Sequence, residues 1–316
     1  MKEAGVAEEV RNIAADIQSM RIRGAGEIAR SAARGMAIAA RGSTAASSEE
    51  LIQDLKDAAR TLVETRPSAV SLPNAVRLIL HGALSAASGG AEEIRKEVVE
   101  GAERFITESK EATRLIGEIG SARIVSGSTI MTHCHSMAVV EILKTAHRQG
   151  KDIQVIAREA RPRYQGRITA KALAEEGIPT TLIVDSAARF FMKDVDQILV
   201  GADSVAANGA VVNKIGTSAL ALLAHEARVR VMVATETYKF HPETIVGQLI
   251  EIEERTAWEV LPEGIPGVNV RNPAFDVTPP ELIDLIVTER GIIPPQAAVL
   301  VLRDLGWSMW EKEPWE

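Results

Sequence analysis

Between Ser121 and Ala234 short apolar runs alternate with helical runs, and this regularity limits the fold more than any other feature of the chain. Strand-like runs cover Ile124–Met131, Ile153–Ala157, Thr180–Val184, Gln197–Val200 and Val229–Ala234. Helical patterns fill the gaps at Ser136–His147, Gly166–Glu176, Ala187–Met192 and Ser218–Ala227. Strands and helices alternating at these lengths build a parallel, doubly wound sheet, whose ligands lie outside the carboxyl ends of the strands.

No strand pattern competes before Ser121. Val6, Val10, Ile13, Ile17 and Met20 fall three and four apart, on one helix face. An alanine-rich helix runs to Ala40, and Ser47 with Glu50 forms a capping-box pair opening a third helix. Further helices are expected at Ala75–Ala87 and Glu92–Ile119. The fold class is therefore α/β, with a helical N-terminal domain over 1–120 and a Rossmann-like sheet domain over 121–316. Past Pro242 the pattern predicts a helix to Arg255, a Pro/Gly-rich stretch to Pro273, and helix again over Glu281–Leu305.

Composition narrows the function. Lys and Arg number 36 against 43 Asp and Glu, a net charge of −7, which disfavours a nucleic-acid surface. Aromatics at 3% leave little for stacking bases. No apolar run reaches the roughly 18 residues of a membrane span, and no signal peptide is visible, so a cytoplasmic protein is expected. One cysteine, Cys134, excludes an internal disulfide.

The stretch Ile198–Leu220 concentrates the chemistry. After Gly201 comes an acid, Asp203, then a turn at Asn208-Gly209, then Asn213-Lys214 ahead of a helix start at Gly216-Thr217. Cys134, in Thr132-His133-Cys134-His135-Ser136, stands between a strand end and a helix N-terminus, where the dipole lowers a thiol pKa. A lone cysteine is equally a small buried apolar residue. Strand alternation puts His133 and His135 on one face and Cys134 on the other, which argues against a metal site. Arg23-Gly24-Ala25-Gly26 lacks the preceding strand that a dinucleotide fingerprint needs. It fits a phosphate cradle at a helix start, or a plain turn between helices. Arg161, Arg163, Lys214 and Lys239 follow successive strands, so cations gather on one sheet edge in an acidic protein, which favours a phosphorylated small molecule.

RGAGEIA, THCHS, EARPRYQGR and GADSVAANGAVVNKIGT together resemble the family that unites regulatory subunits of translation initiation factor 2B with sugar-phosphate isomerases. The resemblance spans nearly the whole chain, including Ile293-Pro294-Pro295. It implies an aldose–ketose isomerase, with Cys134 as base and Asp203, held protonated, as acid. Arg23, Gly24, Ala25, Gly26, Arg66, Ser136, Met137, Ala138, Asn213, Lys214 and Lys239 match the family's substrate-contacting positions. Regulatory members usually carry Ser and Glu where Cys134 and Asp203 stand, which favours an enzyme. Gly26 and His135 depart from the methylthioribose 1-phosphate branch, and the cations suit two phosphates. The expected reaction is ribose 1,5-bisphosphate to ribulose 1,5-bisphosphate in archaeal AMP degradation. The alternatives are methylthioribose 1-phosphate isomerisation or a noncatalytic regulatory subunit. The resemblance further implies no metal or organic cofactor, AMP as an activator, and a dimer-based homo-oligomer of hexameric size. Trp307, Trp310 and Trp315 near the end are expected to pack against the body or a neighbouring subunit.

Overall fold

A computed structural model describes residues 2–66, 69–246, 250–305 and 314–315. Two compact units divide at Glu111/Ala112, and residues 314–315 belong with the first unit.

The first unit is helical: α1 (Lys2–Gln18), α2 (Ala25–Gly42), α3 (Ser48–Val63), α4 (Ser71–Ser85) and the start of α5 (Ala91–Ser121). Alanines 29, 32, 33 and 40 of α2 are fully buried, and their small size lets neighbouring helices approach closely. The rest of the core comes from large apolar residues such as Ile17, Met36, Leu51, Leu55, Leu62 and Leu80. Ser47 and Glu50 form the expected reciprocal cap on α3. Trp315 is buried in this unit, with Arg77 5.7 Å from its ring and Arg60 Nε donating to its carbonyl at 2.9 Å. Trp307 and Trp310 lie outside the described residues.

The second unit contains β1 (Ser128–His133), α6 (Met137–Arg148), β2 (Ile153–Arg158), α7 (Gln165–Ala174), β3 (Thr180–Ile183), α8 (Ala188–Phe191) and β4 (Gln197–Gly201). Next come β5 (Ser204–Ala206), β6 (Val211–Lys214), α9 (Thr217–Ala227), β7 (Arg230–Ala234), β8 (Phe240–His241), β9 (Phe275–Thr278), β10 (Leu285–Thr288), β11 (Gly291–Ile293) and α10 (Ala298–Asp304). The main sheet runs β11-β10-β7-β4-β1-β2-β3, parallel except for β11. Strand residues alternate between two buried clusters. Ile130, Leu199 and Met232 pack with α6, while Met131, Ile198, Val200 and Val231 pack with α9. Burial on both faces explains why these strands read as continuous apolar runs. Among the described residues no helix is long and apolar enough to cross a membrane.

Three expectations are corrected. The first strand begins at Ser128 rather than Ile124, because Gly127 turns at φ 88° and Lys151 Nζ ties the preceding turn through the Ser121 and Ile124 carbonyls at 2.6 and 2.7 Å. Among the described residues, no α-helix lies between Pro242 and Arg255. After a 3₁₀ turn at Pro242–Val246, residues 250–255 form no helix; Glu254 bridges to Pro273 and the Arg255 N–H donates to the Asn272 carbonyl at 2.9 Å. Over Glu281–Leu305, β10 and β11 precede α10, since a short buried apolar run carries no helical period of its own. A second sheet, β8-β5-β6-β9, stands beside the carboxyl end of β4. Its β5–β6 hairpin turns at Asn208-Gly209, where φ of Gly209 is 87° and a Cβ would lie 2.2 Å from the Pro295 carbonyl oxygen.

Candidate active site

Strand order reverses at β1: the chain steps outward to β2 and β3, then returns to lay β4 on the other side. That reversal opens a crevice at the carboxyl ends of β1 and β4. Their register pairs Ile130 with Gln197 and Met131 with Ile198; continued along both strands, it brings Cys134 beside Gly201. Asp203 follows two residues later. Neighbouring strand ends therefore deliver the thiol and the carboxyl.

Cys134 leaves β1 with φ 70°, a left-handed conformation that costs a side-chain-bearing residue energy and ends the strand alternation there. Thr169 of α7 holds the turn, donating its hydroxyl to the Cys134 carbonyl at 2.8 Å. His135 Nδ1 stands 2.9 Å from the same hydroxyl oxygen. His133 is instead buried against the Ile215 carbonyl at 2.8 Å. The two histidines thus diverge instead of sharing a face. Among the described residues no cluster of His, Cys, Asp and Glu is arranged to hold a metal ion.

Ser136 caps α6, its hydroxyl accepting from the Val139 N–H at 3.5 Å. Met137 is exposed and Ala138 buried; their N–H groups open the helix and have no intrahelical acceptor. Gly201 leaves room for this cap: a Cβ there would lie 2.6 Å from Ser136 Cβ and Oγ.

The half-buried Asp203 donates its N–H to the Val212 carbonyl at 2.9 Å. From β6, Lys214 Nζ donates to the Ala274 carbonyl at 2.9 Å and lies 4.7 Å from the Phe275 ring centre. Asn213 gives its amide to Thr217 Oγ1 at 3.0 Å. Lys239 donates to the Ala202 carbonyl at 3.2 Å and pairs with Glu236 at 2.6 Å, both side chains buried.

Burial pushes the Cys134 thiol up to about 11, against the lowering pull of Lys214 and of the His135 N–H; Asp203 and Asp185 add to the rise. The expected depression by the helix terminus is therefore corrected: desolvation outweighs it, although the residue as a whole keeps partial exposure. Lys214 is in turn held below the usual lysine range by burial, opposed by Cys134 and Asp203. These three groups feel one another's charge.

Other cations of that edge are engaged differently. Arg161 lies 5.3 Å from the Tyr164 ring and donates to the Val260 carbonyl, while Arg163 pairs with Glu259 at 2.8 Å. In the helical unit, Arg23 is exposed just before Gly24, which opens α2 at φ 86° with no side-chain cap, so the N–H groups of Ala25 and Gly26 lack intrahelical partners. Arg66 follows α3, its N–H on the Val63 carbonyl at 3.3 Å. Sequence reasoning missed Arg158 altogether, and it named His133, Gly201 and Gly216 without the contacts they make here. Gly201, closing an apolar strand run, and Gly216, ahead of a helix, left readable signals; the carbonyl contacts of His133 and Arg158 left none.

Residues 21–295 match the initiation factor 2 subunit family. A ribose 1,5-bisphosphate isomerase of Thermococcus kodakarensis is 53% identical, covering 98% of this chain and 99% of its own length. A methylthioribose-1-phosphate isomerase of Acetivibrio thermocellus is 42% identical, covering 90% and 87%. Among solved structures, translation initiation factor eIF-2B of Pyrococcus horikoshii superposes with a TM-score of 0.78 at 33% identity, over 92% of this chain and 99% of that one.

Proposed function

The chain belongs to the initiation factor 2 subunit family, and within that family we propose that it is an aldose–ketose isomerase converting ribose 1,5-bisphosphate to ribulose 1,5-bisphosphate. Close identity to relatives bearing that activity in their names supports the reaction. The observation that carries the chemistry is the pairing of Cys134 and Asp203 at adjacent strand ends, with the Lys214 charge acting on both.

A sugar with phosphate on its anomeric oxygen cannot open as a free hemiacetal does. In our reading Cys134, as thiolate, takes the C2 proton while Asp203 protonates the ring oxygen, and the C1–O bond breaks to leave an enol still bearing its phosphate. Cys134 then returns its proton to C1, Asp203 recovers one from the C2 hydroxyl, and the ketose forms with both groups restored. A thiol near 11 is protonated in the resting protein at neutral pH, so the reaction draws on the ionised fraction that Lys214 and the His135 N–H sustain. Neither a metal nor an organic cofactor enters these steps.

We assign substrate phosphates to Lys214, Asn213 and the α6 terminus at Ser136, Met137 and Ala138. The motif resemblance, by itself, assigns Arg23, Gly24, Ala25, Gly26 and Arg66 to substrate contact. Lys239, matched by Glu236, contributes through the backbone it holds beside Asp203. AMP activation, a dimer-based hexamer and a cytoplasmic setting accompany this reading. The isomerase rate with and without AMP tests the first, and mass photometry tests the second.

Incubation with ribose 1,5-bisphosphate and, separately, methylthioribose 1-phosphate tests the substrate. Conversion of the bisphosphate at a kcat/KM at least tenfold higher is expected. Preference for the methylthio sugar, or turnover of neither, contradicts the proposal.

A further inference from the structure

The turn after Lys214 is gripped by groups to which the reaction steps give no part. His133 Nε2, at the end of β1, lies 2.8 Å from the Ile215 carbonyl, and a nitrogen facing a carbonyl there is the one bearing hydrogen. Arg158, at the end of β2, donates Nη1 to the Gly216 carbonyl at 2.9 Å. From β9, the Asp276 carboxylate accepts the N–H of Gly216 at 2.7 Å and of Ser218 at 3.1 Å, so the α9 terminus already holds an anion of the chain's own. Gly216 has φ 98°, and a Cβ on it would lie 3.3 Å from both His133 Nε2 and Arg158 Nη2. Both gripping side chains are buried.

We propose that His133 and Arg158 are positioning residues: by fixing the carbonyls of Ile215 and Gly216 they hold the ammonium of Lys214 in its place beside Cys134 and Asp203. One strand end then sets both partners, because His133 immediately precedes Cys134 while its ring holds the residue immediately after Lys214. Arg158 repeats the grip one residue further on, from the neighbouring strand. The inference deepens the catalytic reading above and rests on it for the importance of the pair, but the geometry can be tested without substrate.

With one cysteine in the chain, the rate of alkylation by iodoacetamide at about pH 7.5 reports the thiolate of Cys134 alone. His133→Leu removes the grip without removing charge, since burial, with Arg158 acting in the same direction, holds the imidazole down at about 4 and so neutral. Displacing Lys214 from the thiol should then slow alkylation by about tenfold. Lys214→Met should slow it as well, and His133→Leu should add nothing further in that background. His133→Gln, whose amide N–H reaches the same carbonyl, should stay near wild type. Gly216→Ala, which disturbs the turn from within, should slow alkylation too and provides a second route if His133→Leu does not fold. A wild-type rate in His133→Leu overturns the proposal. So does an equal further loss in the Lys214→Met background, or a Gln variant no better than Leu. Because alkylation needs no sugar, an error in the assigned substrate leaves its outcome untouched.

Discussion

Gly201→Ala should damage the crevice between β1 and β4 more than its single added carbon implies. The new Cβ would stand 2.6 Å from both Cβ and Oγ of Ser136. Rotating the serine hydroxyl relieves one contact and leaves the other, so the backbone at Ser136 must retreat by about 0.8 Å to reach ordinary contact distance. Overpacking of this kind costs about 1–3 kcal/mol, and losing the serine cap on α6 about 1 kcal/mol more. The expected destabilisation is therefore about 2–4 kcal/mol. It should appear in urea unfolding as a lower midpoint with an unchanged slope. Because Met137 and Ala138 move with the cap, kcat/KM should fall by about tenfold to a hundredfold. Ser136→Gly combined with Gly201→Ala removes the clashing atoms and should restore most of the overpacking loss, though not the cap. A Gly201→Ala protein within about 0.5 kcal/mol of wild type and equally active would refute the reasoning.

Two further outcomes follow from buried charge. His133 has a folded pKa of about 4 against an ordinary 6.5. The unfolded chain therefore takes up the proton first as pH falls, and stability is lost progressively between pH 6.5 and about 4, by about 3 kcal/mol in all. Unfolding midpoints across that window should fall in wild type and show a shallower decline in His133→Gln; parallel declines contradict the assignment. The Lys239–Glu236 pair, 2.6 Å apart and nearly free of solvent, should lose about 3–5 kcal/mol on Glu236→Gln, which strands the lysine. Glu236→Leu with Lys239→Met should recover much of that stability while still lowering activity, since the hold on the Ala202 carbonyl beside Asp203 is gone; equal losses in single and double variants would be contrary evidence.

Local signals make much of this molecule legible in its residues. Ser47 and Glu50 announce α3 because both halves of a capping box lie within one turn. The parallel strands are readable because a sheet buried on both faces is written as unbroken runs such as Ile198-Leu199-Val200. The same property misleads at Leu285–Thr288, where a mostly buried strand lacks alternation and reads as helix. Strands of two to four residues, as in β5, β6, β8 and β9, are too short to show a period. Cys134 and Asp203 stand out as chemistry-bearing residues at strand ends. The thiol's environment does not, because desolvation depends on what packs around the sulfur, and that comes from distant parts of the chain. The grip on Ile215 and Gly216 is hidden likewise. It joins residues 82 and 58 positions apart through backbone carbonyls, which carry no side-chain signature.

The most direct test is the rate of ribulose 1,5-bisphosphate formation from ribose 1,5-bisphosphate by Cys134→Ser and Asp203→Asn proteins whose unfolding midpoints match wild type. Each single change should lower kcat by at least about a hundredfold, and the double variant should be little worse than the poorer single, because base and acid act in one step. Near wild-type turnover in either single variant would contradict the assignment of proton transfer to this pair.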